Sequence, residues 1–147
     1  MINRMESASA LHARGANCAQ SVVCVFAESL GFDTETAMRA ATGFGGGMGR
    51  LAATCGAVTG AFMTLGLARG MRQPEESATK ETTYALVREF ARRFAGKHGT
   101  LSCRDLLEVD IGTVDGLKQA RERNLFATRC TGYIRDAVGI LEDMLRE

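Results

Sequence analysis

Tryptophan is absent from this chain of 147 residues, tyrosine occurs twice and proline once. With so few large flat rings, a platform for stacking nucleic-acid bases is hard to build. Charge of one sign is lacking too. The net charge is +1, and the 15 Arg and 3 Lys are interleaved with 17 acidic residues, so no bulk field draws the chain to nucleic acid or an anionic membrane. We therefore expect no nucleic-acid partner. The opening MINRMESASALHARG has no continuous apolar stretch and does not read as a secretory signal, which places the chain in the cytosol, where thiols are mostly kept reduced. Alternating apolar and polar residues never persist, so strands are not expected either.

What remains is a chain 46% hydrophobic and 24% charged, long enough to bury a core without staples. Helical spacing dominates it. The pattern predicts helices over 2–14, from Cys18 to the stop at Gly31, and over TETAMRAA behind an Asp33 or Thr34 cap. A fourth is expected from Leu51 to Ala68, an 18-residue stretch without a charge. Its length approaches that of a membrane span, but three Gly, three Thr and many Ala make it too weakly apolar, so membrane insertion is not expected. Gly56 and Gly60 are four apart, which lets a neighbouring helix approach closely. Pro74, as a first-turn residue, opens a fifth helix with Tyr84, Val87, Ala91 and Phe94 on its buried stripe, broken at Gly96 and Gly99. A short turn at SCRDLLEVD, a polar helix over 113–124 and a last helix through Ile134, Val138, Leu141 and Leu145 complete the chain. The reading is an all-α single domain over 1–147: six or seven helices around a central Gly/Ala-rich one.

Five cysteines are more than packing requires in a cytosolic chain of this size. Cys24, within VVCVFA, reads as a core residue. The other four follow residues that cap helices: Asn17 before Cys18, Thr54 before Cys55, Ser102 before Cys103, and Thr128 two before Cys130. A cysteine in a helix's first turn sits among free N–H groups at the positive end of the helix dipole, which favours the thiolate. Thiolate is the form that attacks disulfides and binds metals. No C-x-x-C is present, and the four are 37, 48 and 27 residues apart. No local dithiol or zinc ribbon is encoded, and only the fold can unite them.

The chain resembles the C_GCAxxG_C_C family of redox-active proteins. The matching stretches are GANCAQSV at 15–22, GFGGGMGRLAATCGAVTGA at 43–61, LSCRDLL at 101–107 and the segment around Cys130. The family label places Gly before Cys, whereas here the order is Cys55-Gly56-Ala57-Val58-Thr59-Gly60. This resemblance implies that Cys18, Cys55, Cys103 and Cys130 act together and that Cys24 does not.

Three chemistries stay open for such a set. Reversible disulfides would make the chain a thiol–disulfide oxidoreductase or redox sensor. An iron–sulfur cluster on the four thiolates would make it an electron carrier. A zinc ion held by all four would be structural, and a helical module binding a protein partner, with its cysteines as core filler, is the reading without redox chemistry. Gly46, Gly47 and Gly56 are candidate cofactor contacts through backbone N–H groups, although a flexible turn explains the Gly-rich loop as simply. That loop matches no nucleotide-binding pattern. His98 is expected to face solvent rather than pair with Cys103. The electron donor or protein partner is not encoded locally, and a homodimer covering the uncharged helix is left open.

Overall fold

The computed structural model describes residues 3–147. Ile2, expected at the start of the first helix, lies outside them. Among the described residues there are eight α-helices and no strand: α1 Arg4–Ala13, α2 Cys18–Ala27, α3 Thr34–Ala41, α4 Gly56–Arg69, α5 Ser77–His98, α6 Cys103–Leu107, α7 Val114–Glu122 and α8 Thr131–Arg146. No helix is long and apolar enough to cross a membrane.

The caps explain several boundaries. Asn17 accepts from the Gln20 amide at 2.8 Å while the Gln20 side chain accepts from the Asn17 amide at 2.9 Å. This reciprocal box fixes Cys18 as the first residue of α2. Asp33 caps α3 through the Thr36 amide, and Gly31 ends the preceding turn at φ 86°. Ser102 and Thr113 cap α6 and α7 in the same way.

The uncharged segment is not helical from Leu51. Arg50 and Ala52 adopt positive φ, and Ala53–Cys55 run extended instead, so α4 begins only at Gly56. Residues 45–48 form a tight turn in which Gly46 and Gly47 are left-handed. Pro74 precedes α5 without entering it. Glu76 closes the turn there, its Oε1 accepting from the Arg72 and Gln73 amides, both at 2.7 Å. Gly96 does not break α5, which ends at the left-handed Gly99. Tyr84 is 52% exposed; it stands about 120° round the helix from Phe90, while Phe90 and Phe94 carry the burial. The expected turn at 102–110 contains the five-residue α6.

α4 packs against α2, α5 and α8, and α1 packs against α2 and α8. Their shared core includes Val22, Phe26, Val58, Leu65, Phe90, Phe94, Ile134, Val138 and Leu141. A smaller cluster joins Cys103, Leu107, Ile111, Leu125 and Cys130, and a third gathers Ala19, Val23, Cys24, Ala27, Ala37 and Ala41 between α2 and α3.

Candidate functional site

Four separate devices bring four distant cysteines to one cavity. Gly56 and Gly60 supply the first. A Cβ on Gly60 would lie 2.7 Å from the Ala19 carbonyl oxygen, and one on Gly56 would lie 3.0 Å from Cys18 Cβ. Only hydrogen at these two positions lets α2 lie so close to α4, with Cys18 beside the residue that follows Cys55.

Backbone pairing is the second device. The Cys55 amide donates to Leu101 at 2.8 Å and the Cys103 amide donates to Ala53 at 2.6 Å, around an antiparallel bridge between Thr54 and Ser102. The two exchanged bonds set Cys55 and Cys103 diagonally across the bridge, within electrostatic reach of each other. The third device holds the start of α8 over the end of α6: Arg129 donates to the Leu106 and Leu107 carbonyls at 3.3 Å, and the Tyr133 hydroxyl donates to Leu106 at 2.8 Å. His12 is the fourth. Its ring nitrogens lie 3.0 Å from the Ala16 carbonyl and 2.9 Å from the Phe126 carbonyl, tying the entry to α2 to the π-helical turn Phe126–Cys130. Such turns free a carbonyl from the regular ladder, and here it faces His12.

Cys18, Cys55, Cys103 and Cys130 consequently line one cavity of about 470 Å³, together with Gly46, Gly47 and Gly56. All five cysteines are free thiols. Cys55, Cys103 and Cys130 are 5–7% exposed, and Cys18 is half-buried. Cys18 packs against the cluster that holds Cys130, and the two thiols perturb each other. A proton held on Cys18 favours the Cys130 thiolate, whose pKa falls below the ordinary thiol value. Cys18 is pushed well above that value, by its interaction with Cys130 first and by burial second.

The expected thiolate environment is thus confined to one pair. Cys18 and Cys103 do open helices. Cys55 is instead the cap residue of α4, and Cys130 lies within a continuous helical run, since the Thr128 hydroxyl bonds back to Asn124 and caps nothing. Burial outweighs the helix end at Cys55. The amides of Ala57 and Val58 favour its thiolate, yet loss of solvent raises it to about 11. Burial, reinforced by the neighbouring cysteines and Asp110, pushes Cys103 up to about 12. At neutral pH these two are thiols.

Gly46 and Gly47 line the cavity in left-handed conformations, and Gly56 serves close approach to Cys18. Cys24 lies apart, its Sγ 3.9 Å from the Thr34 carbonyl within the α2–α3 cluster. His98 does not face solvent as expected. It packs on Phe94 and Tyr133, and its buried Nε2 is 2.9 Å from Asp136 but out of line for a hydrogen bond. It is not part of the cavity lining. His12, Arg121 and Tyr133 line the cavity although nothing in their sequence context marks them. Only the 114-residue separation between His12 and Phe126, closed by the fold, reveals the first.

A metal fits this arrangement poorly. Among the described residues, no three or more His, Cys, Asp or Glu side chains form a group able to hold a metal ion, whereas a tetrahedral zinc requires four donors around one point. The family described as Putative redox-active protein (C_GCAxxG_C_C) matches residues 16–144. No curated protein and no solved structure matches the chain.

Proposed function

The chain belongs to the C_GCAxxG_C_C family of putative redox-active proteins, and from that premise we propose a thiol–disulfide oxidoreductase in which Cys18 and Cys130 are the pair that cycles. The observation that carries this reading is the packing of Cys18 against the cluster that holds Cys130, inside a cavity lined by all four family cysteines. A thiolate is the nucleophile of disulfide exchange, and the pair keeps one negative charge shared through one proton. Cys130 attacks a disulfide sulfur and forms a mixed disulfide. Cys18 then gives its proton to the leaving thiolate and attacks the Cys130 sulfur, closing the intramolecular bond. Cys55 and Cys103, protonated at neutral pH, add no repelling charge to the cavity. The reading suits the cytosol, where such a pair is returned to its thiol form.

The test is an equilibrium titration of anaerobically purified protein against a thiol–disulfide buffer, with free thiols counted by mass after alkylation. The expected result is one two-electron transition that removes two thiols, Cys18 and Cys130, from protein without bound metal. Five alkylated thiols at every potential would refute the reading, as would iron with visible charge-transfer bands.

A further inference from the structure

The wall of the cysteine cavity carries a charge pattern that the exchange chemistry does not require. Arg50 and Arg121 both line it, both are exposed, and neither makes an ion pair or side-chain hydrogen bond among the described residues. Their neighbours behave differently: Arg129 is paired with Glu108 at 2.8 Å and Arg104 with Asp110 at 4.0 Å. No Asp or Glu lines the cavity. Asp110, the carboxylate within electrostatic reach of Cys103, is occupied by Arg104 and by the Gly112 amide at 2.9 Å. The backbone makes room for Arg50. A Cβ on the left-handed Gly46 would lie 2.8 Å from Arg50 Cγ and 3.2 Å from Ile111 Cδ1, so the bare glycine lets the arginine stem lie along the cavity wall.

Size and depth narrow the substrate further. A volume of about 470 Å³ falls within the ~300–1,000 Å³ of small-molecule sites. The recessed Cys130, 6% exposed, suits a small molecule better than a disulfide carried on a folded protein.

Building on the redox reading above, we infer that the oxidant taken up in this cavity is a low-molecular-weight disulfide bearing carboxylates, with Arg50 and Arg121 holding its negative groups. Planar guanidinium forks match carboxylates. The exchange balances without a further oxidant or reductant. The pair, carrying one proton, and RSSR give the Cys18–Cys130 disulfide, RSH and RS⁻: one S–S bond breaks, one forms, the Cys18 proton leaves on one product, and the other leaves as a thiolate that takes its proton from water.

The test compares rates of thiol loss for the reduced full-length protein with three small disulfides of similar length: a dicarboxylate (dithiodipropionate), a neutral diol (hydroxyethyl disulfide) and a diamine (cystamine). Diamide, a neutral oxidant of dithiols, serves as the control for the redox reading. The dicarboxylate should react about tenfold or more faster than the diamine, with the advantage shrinking as salt rises. The double variant Arg50→Gln/Arg121→Gln should lose that preference, and Arg123→Gln, outside the cavity lining, should keep it. Equal rates for the three disulfides, with the Cys18–Cys130 bond still formed by diamide, would overturn the substrate class and leave the redox reading standing. A preference that survives the double variant, or faster oxidation by a protein disulfide, would overturn it equally. Failure of every oxidant to form the bond would remove both.

Discussion

α2 carries two cysteines into contrasting surroundings. Cys18, at the first residue, lines a cavity with cysteines from three distant parts of the chain, and Cys130 is the first cause of its raised pKa. Cys24, six residues on, sits in the apolar cluster between α2 and α3 with no other cysteine in it, and its thiol is raised by burial alone. Helix position therefore does not by itself make a cysteine reactive. What distinguishes Cys18 from Cys24 is the company of other cysteines, which gather where the glycine faces and the backbone bridge converge.

Substitutions can break this contrast. Cys18→Ala should abolish the two-electron transition entirely, with the protein still folded by circular dichroism; persistence of the transition would mean the wrong pair has been chosen. Gly60→Val should act next most strongly. Its added methyls meet the Ala19 backbone, costing ~2–3 kcal/mol by overpacking and separating Cys18 from the other three. Chemical denaturation would show the loss, and disulfide formation would fall although no cysteine was altered.

A pH series sharpens the comparison within the cavity. Cys55 and Cys103 are raised from 9.0 to about 11 and about 12. Below pH 9 both folded and unfolded chains hold these protons, so the stabilising contribution is fully present. Between pH 9 and about 12 the unfolded chain ionises while the folded one does not, and stability falls as pH rises. Denaturation midpoints under reducing conditions should decline across that window and less steeply in Cys55→Ala, compared with that variant's own value at about pH 7. A flat profile would show that these thiols are better solvated than their burial indicates. The smallest effect belongs to the far end of α2. Cys24→Ala should cost only about 1 kcal/mol of packing and leave the redox transition where it was.

The capping residues made much of this fold legible. Asn17 and Ser102 set the starts of α2 and α6 where their sequence contexts indicate. At Thr54 the same reasoning failed, because the segment pairs with Ser102 across the chain and pairing over such a distance leaves no periodic trace. Thr128 misled for a different reason: its hydroxyl bonds within a continuing helix. The spacing of Gly56 and Gly60 signalled a close helix approach, but not that α2 makes it at Cys18 and Ala19. Arg50 and Arg121 could not be distinguished in sequence from the other arginines, since what sets them apart is that they line the cavity without a paired carboxylate.

Cross-link mapping of the Cys24→Ala protein tests the central claim most directly. The reduced chain is treated with one equivalent of diamide, alkylated, digested without reductant and sequenced by mass spectrometry. The account predicts one dominant linked peptide joining Cys18 to Cys130 across 112 residues, with Cys55 and Cys103 recovered alkylated. A dominant Cys55–Cys103 link, or random linkage among the four, would contradict it.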